Sequence, residues 1–192
     1  MSGHKRFLSP KKRIVIDTHV LQAATLKEMH TRHPSEQPPE NSKQENDAYE
    51  LIREVIKNSP VLVFSPEQWK EAQKHVYLRH PSTYDIIREL DEKNKLERIE
   101  ASRLEGALPT VVIQALKGKR GKKHSSPKKG HKNVSDDIHL FEAAFVTDKI
   151  LITEDVNILD NEEIKKFVFK KTNIQVFRVQ EALAKHEATK DY

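Results

Sequence analysis

The chain has no cysteine. That excludes disulfide frameworks, thiolate metal centres and zinc fingers, and it fits a reducing cytoplasm. No apolar run approaches the roughly 20 residues that cross a bilayer, so no membrane span is expected. The basic residues between Met1 and Lys12 are followed by no apolar stretch of signal-peptide kind, so no secretory leader is expected there. No internal repeat is visible. The most local absence is of negative charge, since there is no Asp or Glu from Gly106 to Ser135. That segment holds eight Lys or Arg, while the rest of the chain holds 26 against all 29 acids. A body of formal charge −3 therefore carries a concentrated basic arm within a chain of net charge +5. Such an asymmetry points to a polyanionic partner, most simply nucleic acid.

What is present is enough for one core. Of the 192 residues 36% are apolar and 33% charged, which fits a single domain over 1–192 with much solvated surface. Short β-branched runs alternate with helical spacings. Arg13-Ile14-Val15-Ile16 and Pro60-Val61-Leu62-Val63-Phe64 have the composition of strands buried on both faces, as does Lys149-Ile150-Leu151-Ile152. Leu96 to Glu100 and Ile174 to Phe177 predict shorter strands. Helices are expected after each, with Ser65-Pro66-Glu67 a start signal of N-cap, proline and acid. Pro109 to Leu116 suits a short helix, although its Thr-Val-Val-Ile core also suits a strand. The expected architecture is α/β, a three-layer α/β/α sandwich on a mostly parallel sheet of four to five strands. Two segments interrupt it: an exposed Pro- and Ser-rich loop over 31–44, and a basic insertion over about 102–135.

The chemistry lies where strands end. Val15-Ile16 stops at Asp17, and Leu151-Ile152 runs into Thr153-Glu154-Asp155. Asp136-Asp137 opens the helix that leads to the second of these strands, and Glu67 and Glu71 lie in the helix that leaves Phe64. In a parallel sheet these positions fall at one edge, where ligands of open α/β sheets sit. Carboxylates gathered there repel unless cations lie between them, and oxygen-only ligation suits Mg²⁺ or Mn²⁺. Each acid also has a plainer reading. Asp17 alone would cap the following helix, and Asp136 and Asp137 are acids in a first helical turn. Glu67 and Glu71, four residues apart, share a helix face and remain alternatives. The ten histidines, His30, His33, His75 and His80 among them, show no ligand cluster, and Trp69 reads as core rather than as a stacking platform.

Four fragments in this order, strand-Asp17-Thr18-x-Val20-Leu21, Ser65-Pro66-Glu67-Gln68-Trp69-Lys70-Glu71, Asp136-Asp137-Ile138-His139-Leu140-Phe141-Glu142-Ala143-Ala144 and Ile150-Leu151-Ile152-Thr153-Glu154-Asp155, resemble the PIN-domain ribonucleases, including the VapC-type toxins. The resemblance covers most of the chain but not the basic arm. It implies a metal-dependent endoribonuclease working by in-line attack of water, with Asp17, Glu71, Asp137 or Asp136, and Asp155 as its acids. Thr18, His19 and Thr153 would support them. His19 departs from the family, which usually has Asn after Asp-Thr, and a degenerate site that binds nucleic acid without cutting it is the reading this departure favours. RNA is expected over DNA. Lys117, Lys119, Arg120, Lys122, Lys123, Lys128, Lys129 and Lys132 are the expected phosphate contacts. Beyond nucleic acid, the resemblance implies an antitoxin or a second copy as protein partner, or an RNA-processing or defence role without an antitoxin.

Overall fold

A computed structural model of the protein describes residues 7–10, 12–32, 42–58, 60–74, 81–118 and 134–189. The predicted strands form as β1 (Arg13–Ile16), β2 (Val61–Phe64), β3 (Leu96–Arg98), β4 (Ile150–Ile152) and β5 (Gln175–Phe177). They make one five-stranded sheet in the order β3-β2-β1-β4-β5, and every pairing is parallel. β1 therefore lies at the centre, flanked by a strand that follows it and a strand from far along the chain. The order reverses between β1 and β4, which makes their carboxyl ends the topological switch point of the sheet.

Side chains alternate across the pleat, and the burial follows. Ile14, Ile16, Leu62, Phe64, Ile150 and Ile152 enter one hydrophobic cluster, with α1 (Thr18–Arg32), α2 (Ser42–Asn58), α3 (Pro66–Lys74), α4 (Pro81–Glu92) and α10 (Val179–Glu187), together with Phe7 and Leu8 before β1, supplying its other residues. Val15, Val63 and Leu151 enter a second cluster on the opposite face. Its other residues come largely from α5 (Ala101–Leu104), α6 (Thr110–Gly118), α7 (Ile138–Phe145), α8 (Val156–Leu159) and α9 (Glu162–Thr172). Two dry faces, each covered by helices, are what a three-layer sandwich requires.

The two expected interruptions are smaller among the described residues than the sequence implies. α1 runs on to Arg32 and α2 begins at Ser42, so helix enters both ends of the 31–44 segment. Within 102–135, α5 and α6 are helical, and a 3₁₀ turn spans Val134–Asp137. The stretch that suited either helix or strand is helix α6, because its spacing puts Leu108, Val112 and Leu116 into the second core cluster. Lys119, Arg120, Lys122, Lys123, Lys128, Lys129 and Lys132 lie outside the described residues, as do His33, His75 and His80.

The helical face of α6 is testable. Leu116→Ala should cost about 2–5 kcal/mol, as for other large-to-small core changes. Val111→Thr, at a position 47% exposed, should change stability by less than about 0.5 kcal/mol. Urea unfolding of the two variants checks this, and a strand would put 111 and 113 on one face and 112 on the other.

Candidate functional site

The hydrogen-bond register aligns five strand ends. Arg98 pairs with Phe64, Ile16 with Ile152, and Ile152 with Phe177. One residue further, Asp17 donates its backbone N–H to the Ile152 carbonyl at 2.9 Å, and Thr153 donates to Phe177 at 3.1 Å. Asp17 and Thr153 are thus neighbours at the switch point because both follow paired strand ends directly.

Asp17 is 2% exposed, yet its carboxylate is well supplied with donors. The Thr153 hydroxyl donates to Oδ2 at 2.7 Å. At Oδ1 three groups converge: the backbone N–H of His19 at 3.2 Å, the Thr18 hydroxyl at 3.2 Å and the His19 Nδ1 at 3.3 Å. Burial by itself pushes this carboxyl up. The hydrogen bond and charge of His19, then the Thr153 hydroxyl and the His19 N–H, outweigh burial and hold it below its ordinary value. Asp17 also caps α1, its carbonyl accepting from Val20 at 3.1 Å. The capping role and the site role coexist in one residue.

From Asp17 the network extends in two directions. The Thr18 hydroxyl lies 3.1 Å from Glu71 Oε2 and 3.2 Å from Asp17 Oδ1, so its one hydrogen is within reach of both carboxylates. On the other side, Thr153 Oγ1 accepts the backbone N–H of Asp155 at 3.0 Å. Asp155 in turn caps α8, with Oδ1 accepting from Asn157 N at 2.7 Å and Nδ2 at 2.9 Å. Beneath these contacts Gln68, fully buried, donates its side-chain amide to the Ile16 carbonyl, which ties α3 to the end of β1. Ser65 is the N-cap that the sequence predicts, its Oγ accepting from Gln68 N at 3.0 Å.

The paired alternatives separate. Glu71 turns to Thr18, whereas Glu67 lies close enough to Glu142 on α7 to repel it. Burial, and then the Glu67 charge, push the Glu142 carboxyl above its ordinary value, with Lys117 pulling against them. Of the aspartates before α7, Asp136 is exposed and Asp137 is 7% exposed. Asp137 occupies the N-cap position without a side-chain capping bond, so helix capping does not account for its burial. Among the described residues, the acids do not close into a set of three or more His, Asp or Glu that would hold a metal between them. Mg²⁺, however, commonly keeps several waters and takes only one or two protein carboxylates. The oxygen-only pair of Asp17 and Glu71 fits that habit.

Glu142 and Gln68 are members of this site that the sequence reading does not single out. A helical wheel of α7 puts Glu142 one turn after His139, but nothing local marks it as facing α3. Trp69 is a third case. It packs on the core as expected, with Phe64 at 6.1 Å between centroids, but the Arg98 guanidinium lies over its ring at 3.8 Å. Compared with known proteins, the chain matches no family model, no curated protein and no solved structure.

The lowered Asp17 value carries a pH signature. A carboxyl that is more acidic folded than unfolded contributes stability above its unfolded value, near 4. That contribution is lost as pH falls through the lower folded value. Asp17→Asn should therefore have a lower urea midpoint than the parent at pH 7, and the gap should close as the buffer is taken below about pH 4.

Proposed function

We propose that this protein is a PIN-like endoribonuclease that hydrolyses phosphodiester bonds with Mg²⁺ or Mn²⁺ at the Asp17 edge of its sheet. The observation that carries the reading is an ionised aspartate, 2% exposed at the switch point of a parallel sheet, with the Thr18 hydroxyl within reach of both it and Glu71. Nothing in the packing of a strand end calls for a buried carboxylate with a second carboxylate beside it. Asp17 and Glu71 would hold the cation, with Asp155 and Asp137 or Asp136 flanking them. When bound, such an ion supplies acidified water and neutralises charge on the phosphodiester. The chain's own groups do the rest. Thr153 fixes the rotamer of Asp17 from the neighbouring strand, Thr18 holds the two carboxylates in register, and Gln68 anchors the backbone that carries them.

Charge supports a nucleic-acid substrate, which the family resemblance narrows to RNA. Lys117, the first cation of the basic arm, sits near enough to Glu142 to pull against the burial and the Glu67 charge that raise it. The arm is therefore rooted beside the acids, and its remaining cations would grip the phosphate backbone without sequence preference. A basic arm of this kind would add affinity for long polyanions, which favours RNA processing or defence over the toxin role. The toxin role would bring an antitoxin, and either role is compatible with a homodimer in the cytoplasm.

A second reading rests on His19. Its Nδ1 lies 3.3 Å from Asp17 Oδ1, and a ring that takes that oxygen favours a site that binds nucleic acid without cleaving it. Mn²⁺ calorimetry separates the two, because only the nuclease binds the ion at this site.

Asp17→Asn should remain folded, bind single-stranded RNA like the parent, and lose Mn²⁺-dependent cleavage by more than about 100-fold, since groups that merely orient a metal ligand are already worth 10–100-fold. Thr153→Val should fall within that smaller range. Unchanged cleavage in Asp17→Asn, or full cleavage in EDTA, overturns the mechanism.

A further inference from the structure

We infer that Arg98, laid over Trp69, is a phosphate anchor for the nucleic-acid strand, placed about two strands from Asp17 on the same edge of the sheet. The inference rests on the nuclease reading for the identity of the strand, but its observations are separate. Arg98 is exposed and ends β3, level with Phe64. Phe64 is the next step beyond the Val15–Val63 pair, level with Ile16. Strands lie about 4.8 Å apart, which puts Arg98 about 10 Å along the edge from Asp17. A stacked strand covers that span in about three nucleotides at roughly 3.4 Å each.

The arginine is singular in its company. Every other arginine among the described residues is paired with a carboxylate, Arg13 with Glu97 and Arg53 with both Glu28 and Glu89 among them. Arg98 has no such pair among the described residues, and its guanidinium lies 3.8 Å from the centroid of the Trp69 ring. An indole face holds a guanidinium by its π system and uses none of the in-plane N–H donors. The fork is thereby held in place with its donors unspent among the described residues, the arrangement that recognises a phosphate through two parallel hydrogen bonds. Glu71 and Trp69 lie two residues apart on α3, so one short helix carries a carboxylate of the proposed cleavage site and the platform of the anchor.

The competing account is that Arg98 only covers the indole with its methylene stem. Arg98→Met separates the two, because an unbranched apolar side chain keeps the cover and removes the charge. Binding of a fluorescein-labelled single-stranded oligouridine, measured by anisotropy in EDTA across a salt series, reads the contact without cleavage. We expect Arg98→Met to melt like the parent and to bind about ten-fold more weakly, the scale of one charge-assisted contact. The slope of log affinity against log salt should fall by about 0.7, one phosphate fewer on a single strand. In Mn²⁺, KM should rise by the same factor with kcat unchanged. Equal affinity, or weaker binding with an unchanged salt slope, overturns the anchor. If the parent binds but does not cleave, the nuclease reading fails alone and a loss in Arg98→Met still upholds the anchor. If the parent cleaves and Arg98→Met binds equally well, the anchor fails alone.

Discussion

The hydrogen bond from Thr153 to Asp17 joins the ends of two strands that are 136 residues apart in sequence. Removing a carboxylate from water is costly unless donors replace the lost solvation. Thr153 supplies one of those donors from β4, and the first turn of α1 supplies the others. This arrangement lets a charged group persist, nearly out of reach of water, at the end of the central strand. It also fixes the direction of the carboxylate, and through Thr18 the position of Glu71. The central placement of β1, the tether from Gln68 and the cap of α1 all converge on that one side chain.

Around it the electrostatics are graded. Glu71 is linked to Asp17 through the Thr18 hydroxyl, Glu67 instead faces Glu142, and Lys117 offsets part of the resulting repulsion. α3 is the divider, because it presents its acids toward β1 and α7 and its tryptophan toward β3. Glu67 and Glu71 thus lie one turn apart on a nine-residue helix, with the Arg98 guanidinium over its Trp69 and Lys117 close enough to Glu142 to act on it.

Much of this was legible in the chain. The three inner strands and the acids beyond two of them follow from β-branched runs that stop at Asp17 and Thr153, because burial on both faces demands such runs, and the mostly parallel sheet of four to five strands expected from the alternation with helices is a parallel sheet of five. The Ser65 cap was equally plain, since capping chemistry is local. Legibility failed where the deciding partner is distant. Thr110 to Ile113 has β-branched residues enough for a strand, and only the core that receives Val112 and Leu116 makes it helix α6. Glu142 looks like an ordinary helix acid until α3 brings Glu67 against it. Gln68 has the right residue type for a solvent-facing helix position and is instead fully buried under β1. Trp69 and Arg98 are 29 residues apart, and the parallel register of β2 with β3 is what superimposes them.

The order of the strands has a consequence for when the surroundings of Asp17 are assembled. β1 and β2 are near in sequence and pair early in any reasonable folding order, but β4 closes a loop of well over a hundred residues before it can dock beside β1. Loop closure of that length is slow and comes late. Until it happens, Asp17 lacks Thr153 and sits at an open edge, solvated and free to rotate. A chain emerging from the ribosome therefore carries Asp17 for most of its synthesis without the Thr153 donor that fixes its direction. A protein whose proposed substrate is RNA is in this way made next to RNA in a form that is not yet assembled to act on it.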